Sequence, residues 1–221
     1  MSFDALAPHY RWMEWILAGN KLQRCRVRFL NRIQSAENIL ILGEGNGRFL
    51  LECRRANPTA RITCVDASSA MLASAKARLQ RNGASVAAID FLTADALVWN
   101  PLKTYDAVVT HFFLDCFRPD QLATLIAKLS SSASPNADWL MADFQAPSAG
   151  MRRHRARLIL WSMYAFFRFA TRLPARRLTA PDLYLQENGF QLQERLEAEW
   201  GLLHSDWWAR RISQLYLSEN S

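Results

Sequence analysis

The sequence lacks the usual features of a secreted, metal-clustered or membrane-spanning protein. Its 221 residues include only four cysteines, none of them in a CxxC pair. We therefore expect neither a disulfide framework nor a cysteine-ligated metal site. No run reaches 18 apolar residues, and the first residues do not follow the basic-then-apolar order of a signal peptide. These features together predict a cytoplasmic protein with reduced thiols and no transmembrane helix.

Acidic residues are missing from one long stretch of the chain. Between Gln145 and Pro181 there are eight arginines and no acid, and the same stretch is rich in aromatic residues. We expect a basic, aromatic helical insertion over residues 146–180. It fits a lid over an apolar or aromatic small molecule, or an anionic membrane or lipid surface met by residues 151–177. Nucleic acid is the least favoured partner, because only charge supports it and no RNA-binding module is present.

The rest of the chain alternates short apolar runs with helix-like segments. Half of the residues are hydrophobic and the net charge is +7, so a large core and an anionic partner are both expected. The alternation of strands and helices predicts βαβ units, and continuous apolar runs are typical of parallel strands buried on both faces. We therefore predict an α/β, Rossmann-like fold with a seven-stranded, mostly parallel sheet, helices on both faces and an antiparallel C-terminal hairpin. Strands are expected at 38–42, 61–66, 86–92, 105–113, 137–144, 190–196 and 202–210.

The N-terminal part reads as two helices. Residues 3–34 show no strand-like alternation, and Gly19-Asn20 interrupts them. The second helix carries basic residues beside an apolar stripe, and such residues usually form a solvated face. These basic residues are Lys21, Arg24, Arg26, Arg28 and Arg32.

A glycine-rich turn follows the first predicted strand. Gly43, Gly45 and Gly47 alternate with other residues, and glycine permits both positive φ and close approach of a ligand to the backbone. Asp66 ends the second strand, where a carboxylate can accept both hydroxyls of a ribose, and Asp95 follows the third strand. Open α/β sheets bind ligands at the carboxyl ends of their strands. The three features predict a site for an adenosine-bearing ligand.

The order of these motifs resembles class I S-adenosylmethionine-dependent methyltransferases. The resemblance covers about residues 38–145, from the G-x-G-x-G turn through Asp66 and Asp95 to the run Asp106-Ala107-Val108-Val109. The segment Phe3–Tyr10 is similar to the N-terminal lid of the UbiE/Coq5-like branch, which methylates quinones and other small molecules. An NAD-dependent oxidoreductase is disfavoured, because Arg48 stands where the dinucleotide fingerprint has its third glycine. A cofactor-binding protein without catalysis remains an alternative.

The resemblance also implies roles for individual residues. S-adenosyl-L-methionine is the expected cofactor, and a small, hydrophobic or aromatic molecule the expected acceptor. The cofactor-binding residues would be Gly43, Glu44, Gly45, Gly47, Asp66, Ala67, Met71, Asp95, Ala96 and His111. Glu44 would replace the acid that the family has at position 41, where this chain has Ile41.

Catalytic residues are expected only for an acceptor that must lose a proton, because the methyl group is already activated. His111 and Tyr10 are the principal candidates, and His9 and Asp115 are further ones. No second ligand accompanies Asp115, so no metal is expected. One domain is predicted over 1–221, with a lid at 1–36, a cofactor-binding core at 37–145, the insertion at 146–180 and a C-terminal helix and hairpin at 181–221.

Overall fold

The computed structural model of the protein describes residues 20–145 and 179–211. We number the elements of these two ranges in chain order. The helices are α1 (Asn20–Val27), α2 (Arg48–Ala56), α3 (Ser69–Arg81), α4 (Pro119–Ser131) and α5 (Asp182–Glu187). The strands are β1 (Asn38–Leu42), β2 (Arg61–Asp66), β3 (Ile89–Thr93), β4 (Tyr105–His111), β5 (Ala133–Phe144), β6 (Gln191–Ala198) and β7 (Leu203–Ala209). Short 3-10 turns lie at Leu30–Ile33, Leu114–Cys116 and Glu199–Gly201.

The seven strands form one sheet in the order β3-β2-β1-β4-β5-β7-β6. Strands β1 to β5 run parallel, whereas β7 is antiparallel to both of its neighbours, β5 and β6. The predicted fold class, with its C-terminal antiparallel hairpin, is therefore confirmed. The order reverses between β1 and β4, which places the switch point of the sheet at the end of β1.

Helices cover both faces of the sheet, as predicted. On one face, α2 and α3 contribute Phe49, Leu50 and Leu72 to the core. On the other face, α4 and α5 contribute Leu125 and Leu185. Trp139, one of two fully buried tryptophans among the described residues, donates its indole N–H to the Thr110 hydroxyl at 2.8 Å. That bond satisfies a polar group which would otherwise be costly to bury.

Several strand bounds differ from the sequence prediction, most of them by one or two residues, and the largest differences are at the starts of β3 and β5. β3 begins at Ile89 instead of residue 86, because the Ile89 N–H donates to the Val86 carbonyl and closes a turn there. β5 begins at Ala133 instead of residue 137, because Ala133 already pairs with Tyr105 at the start of β4. At its carboxyl end, β4 stops at His111 instead of residue 113, because Phe112 has a positive φ of 52° that leaves the strand conformation.

The second N-terminal helix is shorter than predicted, and one of its basic side chains is not solvated. α1 stops at Val27 and is followed by a 3-10 turn. The prediction of a solvated face was wrong for Arg26, which is 5 % exposed. Its guanidinium lies 5.1 Å from the Phe112 ring centre, because α1 packs Leu22 and Cys25 against the ends of β5 and β7.

Several predictions concern other parts of the chain. Tyr10, the lid motif and the insertion with its segment 151–177 lie outside the described residues. Within the described ranges, no helix is both long and apolar enough to cross a bilayer. The proposed division into lid, core, insertion and C-terminal part stays a prediction.

Candidate active site at the carboxyl edge of the sheet

The turn after β1 has the backbone that its glycines predict. Gly43, Gly45 and Gly47 have φ values of 65°, 68° and 81°, in the left-handed region that side chains other than glycine rarely adopt. The Gly43 N–H donates to the Val65 carbonyl at 2.9 Å, which continues the β1–β2 ladder into the turn. The Asn46 carbonyl accepts from Arg78 of α3 at 2.8 Å. The turn is therefore fixed from two neighbouring elements.

Two of these glycines also make room for neighbouring groups. A Cβ at Gly43 would lie 2.4 Å from Cδ2 of Phe113, and a Cβ at Gly47 would lie 2.6 Å from the Ala75 Cα. The first neighbour is a side chain, whereas the second is the backbone of α3. Close packing of α3 against the start of α2 therefore requires glycine at position 47.

Asp66 joins the end of β2 to the glycine turn. One carboxylate oxygen accepts from the Gly45 N–H at 3.3 Å and the other from the Ser68 N–H at 2.9 Å. Burial raises the pKa of Asp66, and these two N–H groups partly offset that effect. An ionised carboxylate can accept about four hydrogen bonds. Asp66 therefore retains acceptor capacity for ribose hydroxyls.

Glu44 has a structural partner in the turn. Its Oε1 accepts from the Leu50 N–H at 2.9 Å, at the beginning of α2, where the N-cap Gly47 has no side chain to do so. The side chain is buried, and burial raises the pKa of Glu44 to about 7 despite this hydrogen bond. Glu44 thus stabilises the first turn of α2, in addition to any contact with a methionine amine.

The predicted adenine side lies at the ends of β2 and β3. Ser68 caps α3, since its hydroxyl accepts from the Met71 N–H at 3.2 Å. Met71 is buried, whereas the neighbouring Ala67 is exposed. Beyond β3, Asp95 is exposed and accepts from the Leu97 N–H at 2.9 Å. Asp95 is thus the polar group of a tight turn as well as a candidate ligand.

Lys128 of α4 supports that turn and was missed by the sequence analysis. Its Nζ donates to the carbonyls of Ala96 and Leu97 at 2.6 Å and 2.9 Å. Burial lowers the pKa of Lys128, which fits an amine enclosed by backbone carbonyls. Ala96 itself is buried against the core of the α4 face. A lysine in the last turn of a helix gives no sequence signal for such a role.

His111 ends β4 and is 7 % exposed. Its ring meets that of Phe49 edge-on, with 4.6 Å between the centres. Neither ring nitrogen has a hydrogen-bond partner among residues 20–145 and 179–211, although the Arg26 backbone lies near. Burial, aided by the Arg26 charge, lowers the pKa of His111 to about 3. His111 is therefore neutral, and its ring nitrogens are buried.

Asp115 and Asp143 lie near each other at the ends of β4 and β5, and Asp143 was not among the predicted residues. Burial raises the pKa of Asp115 to about 6. Burial, and then the charge of Asp115, raise the pKa of Asp143 well above its usual value. Asp143 is 3 % exposed and accepts from the Phe144 N–H at 2.8 Å. In the described ranges, no three His, Cys, Asp or Glu side chains converge as a metal site would require.

A second polar group that the sequence did not reveal lies on β6 and β7. Asp206 is fully buried and accepts from Arg195 through two nitrogens, at 2.8 Å and 2.6 Å. It also contacts His204 Nδ1 at 2.9 Å and the Trp208 indole N–H at 3.2 Å. Arg195 reaches Asp182 of α5 at 2.8 Å as well. Although burial raises the pKa of Asp206, the bonds from Arg195 and His204 keep it below its usual value.

Comparison with known proteins agrees with this geometry. Residues 39–136 match a family described as a methyltransferase domain. A curated relative, carboxy-S-adenosyl-L-methionine synthase from Campylobacter hominis, is 29% identical over 136 residues, which are 62% of this chain and 53% of that protein. The chain thus spans about half the length of this relative.

Solved structures share the fold. N-methyltransferase NodS from Bradyrhizobium japonicum, in complex with S-adenosyl-L-homocysteine, has a TM-score of 0.68 at 17% identity, over 94% of this chain and 98% of that one. Magnesium protoporphyrin IX methyltransferase from Synechocystis, also with S-adenosyl-L-homocysteine bound, has a TM-score of 0.60 at 16% identity, over 86% and 85%. At such identities the likeness concerns the fold alone.

The described residues fit the same ligand. The three glycines of the turn carry no side chain, Asp66 keeps acceptor capacity, and neither ring nitrogen of His111 has a hydrogen-bond partner among the described residues. All three lie at the carboxyl edge of the sheet, at its switch point. Residues 39–136 thus match the methyltransferase domain family, and the strand order and the glycine turn agree with that match.

Proposed function

We propose that the protein transfers a methyl group from S-adenosyl-L-methionine to a small, hydrophobic or aromatic acceptor. The observation that carries the proposal is Asp66, bound to the Gly45 N–H beside the glycine turn. The cofactor supplies a methyl group already activated on a positively charged sulfur. The chain therefore contributes mainly positioning and exclusion of water.

Each candidate residue has a specific task in this proposal. The three glycines pass close to the methionine part, Asp66 binds the ribose, and Ala67 and Met71 lie along the adenine. Asp95 and Ala96 line the adenine edge, and His111 faces the reacting methyl group. Tyr10 remains a candidate from the lid. The arrangement is supported by positive φ at the glycines and by the unbonded nitrogens of buried His111.

An apolar acceptor is supported by the aromatic residues at the ends of β4 and β5. Phe113 packs edge-on against Phe117 at 5.0 Å, and Phe112 lies 5.1 Å from Phe144. Such a surface suits a planar or hydrophobic molecule, as expected for the UbiE/Coq5-like branch. If the acceptor is a lipid, segment 151–177 would supply the membrane contact.

Two other functions are separable from the main proposal. Arg48 begins α2 in place of a third glycine, which disfavours a dinucleotide and hence an NAD-dependent oxidoreductase. The match to a carboxy-S-adenosyl-L-methionine synthase raises the alternative that the chain modifies the cofactor. The mass of the sulfur nucleoside that copurifies with the protein distinguishes S-adenosylmethionine from its carboxylated form.

Calorimetry on the full chain tests the proposal with S-adenosylmethionine, S-adenosylhomocysteine and NAD. We expect both sulfur ligands to bind and NAD not to bind. Asp66→Ala should weaken binding about 10- to 100-fold, because hydrogen bonds to a charged group contribute about 1.5–3 kcal/mol. Binding of NAD alone would contradict the proposal.

Asp90→Ala is the matched control for this experiment. Asp90 lies on neighbouring β3, is exposed and pairs only with Lys103 at 2.8 Å among the described residues. It should leave the affinity unchanged. Equal affinities of the Asp66 and Asp90 variants would remove Asp66 from the site.

A further inference from the structure

β7 brings its first residues to the ligand edge of the sheet. Because β7 runs antiparallel to β5, His204 lies directly opposite Asp143, the second-last residue of β5. Side chains of directly paired residues share a face, with Cβ atoms about 5 Å apart. Asp143 in turn neighbours Asp115, which follows β4. His204 on β7 thus lies beside the carboxyl end of β5, where we place the acceptor.

His204 is held in one orientation and one tautomer. Its Nδ1 lies 2.9 Å from an Asp206 oxygen, and Asp206 is fixed by Arg195 through two further bonds. Because the carboxylate is an acceptor, Nδ1 carries the proton, and Nε2 keeps a lone pair. No described residue forms a hydrogen bond to Nε2. A histidine oriented by a buried carboxylate is the arrangement that enzymes use for a general base.

Stability alone does not account for this arrangement. Replacing buried ion pairs by apolar residues of similar volume is often neutral or stabilising. Here Asp206 is completely buried and His204 is 5 % exposed. Trp208, in the same strand, is also completely buried. The network therefore costs desolvation energy and needs another reason for being there.

We propose that His204 is the base that accepts the proton of the methyl acceptor, and that the acceptor carries a dissociable O–H, N–H or S–H proton. The inference rests on the proposed methyl transfer. The acceptor heteroatom forms its bond to the methyl carbon with a lone pair, the sulfur keeps the electrons of the broken bond, and the proton passes to His204 Nε2. Asp206 and Arg195 are positioning residues, and Asp206 stabilises the imidazolium that forms.

The surrounding charges support this role. Asp143 flanks His204 from β5 with Asp115 beside it, whereas Glu197, the paired residue on β6, is exposed and its charge is screened by solvent. In the described part of the chain, neither Asp115 nor Asp143 forms an ion pair with a lysine or arginine. The only described cation of the network is Arg195, which is engaged by Asp206 and Asp182. A proton arriving on His204 is thus stabilised directly by the Asp206 carboxylate.

His111 is less suited to the same task. Burial and the Arg26 charge lower its pKa to about 3, and no carboxylate hydrogen-bonds to its ring among the described residues. It can accept a hydrogen bond or pack against the methyl group without taking up a proton. His111 pairs with Ala142, the residue next to Asp143, so its side chain lies on the opposite face of the sheet from His204.

The test uses His204→Asn on the full chain. Asparagine keeps an N–H near the position of Nδ1, so that the bond to Asp206 can persist, but it has no atom in place of Nε2. The probes are 4-nitrophenol, which is largely ionised at mildly alkaline pH, and 4-methoxyphenol, which is not; aniline and thiophenol complete the series. We expect about 100-fold slower methylation of 4-methoxyphenol and only a few-fold change for 4-nitrophenol.

Glu197→Gln is the matched control. Glu197 flanks His204 from β6 and is exposed, and Gln145 donates to it at 2.7 Å. This variant changes a charge beside His204 without removing Nε2. It should leave the ratio of the two phenol rates unaltered.

Nuclear magnetic resonance of the ring-labelled histidines supplies a readout other than activity. In the complex with S-adenosylhomocysteine, adding 4-methoxyphenol should shift the Nε2 signal of His204, which the His204→Asn variant identifies by its loss. Should that variant fail to fold, His204→Gln takes its place. The titration of the native protein with 4-methoxyphenol still tests whether Nε2 of His204 meets the acceptor. An Nε2 signal that does not respond refutes the role of His204.

The relative rates of the two phenols and the binding of the sulfur ligands also test the proposal. Equal slowing of both phenols would make His204 a structural residue, and no slowing would remove it from the reaction. A native protein that binds S-adenosylhomocysteine but methylates no phenol, amine or thiol of the series refutes the protic acceptor and leaves the donor site intact. Failure to bind either sulfur ligand overturns the proposed function itself.

Discussion

Gly47 is the position where the glycine turn is most sensitive to a side chain, and Gly47→Ala is the sharpest test of that geometry. The residue has a φ of 81°, and a Cβ there would lie 2.6 Å from the Ala75 Cα and 2.8 Å from the Ala75 Cβ. The left-handed backbone costs alanine about 1 kcal/mol. The contact is with the backbone of α3, which cannot rotate away, so overpacking adds about 1–3 kcal/mol.

The expected total is therefore about 3 kcal/mol, close to the middle of these ranges. For a chain of 221 residues, each kcal/mol lowers the melting temperature by about 2–4 °C, so Gly47→Ala should melt about 6–12 °C lower. Binding of S-adenosylhomocysteine should also weaken, because α3 must move away from the turn. Both quantities can be followed by thermal unfolding with and without the ligand.

Gly83→Ala separates the two contributions. Gly83 has a φ of 67°, and a Cβ there would meet nothing within 4 Å. The Gly83→Ala variant should lose only the free energy that the left-handed backbone costs, about 1 kcal/mol, which lowers its melting temperature by about 2–4 °C. It should bind S-adenosylhomocysteine as the native protein does. Equal destabilisation by the two substitutions would refute the close approach of α3 to the turn.

Two further predictions concern charge. Because burial raises the pKa of Glu44 from its ordinary 4.5 to about 7, the folded state binds this proton more tightly, and stability should fall as pH rises from about 4.5 to about 7. Glu44→Gln, which keeps an oxygen for the Leu50 N–H, should gain up to about 3 kcal/mol over the native protein across that window. The free energies of unfolding of the variant and the native protein can be compared by urea titration at several pH values. A difference between them that does not vary with pH would contradict the raised pKa of Glu44. If segment 151–177 is an interfacial element, the chain should bind anionic vesicles at low salt and be released at high salt, since salt screens exposed charges. No sedimentation with such vesicles at low salt would favour the lid.

The fold could be predicted because its signals are local. The apolar run at β1 and the run at β4 report burial on both faces, and Ser68 and Pro119 mark the starts of α3 and α4. The donor-side residues are also local, since the glycine turn and Asp66 directly follow strands. Their common edge then follows from the parallel order of the sheet.

The proposed acceptor side could not be predicted in the same way. Asp143 and His204 become neighbours only through the β5–β7 register, which no periodicity in the sequence specifies. Arg26 looked like a solvated residue because its burial depends on how α1 meets Phe112. Lys128 was missed for a similar reason, because its partners are backbone carbonyls of a distant turn. Contacts of this kind depend on tertiary packing.

The order of the strands has a consequence for how the chain reaches this structure during synthesis. β7 lies between β5 and β6, so one edge of β5 stays unpaired until residues 203–209 have emerged. β5 is 12 residues long and mostly buried from Trp139 to Asp143, and such an open edge is a template for pairing with other chains. Closing the ladder requires the intervening residues 145–202 to bring distant segments together, which slows folding. We therefore expect a nascent chain truncated before residue 203 to aggregate even though its cofactor half is complete, and chaperone binding to concentrate on that intermediate.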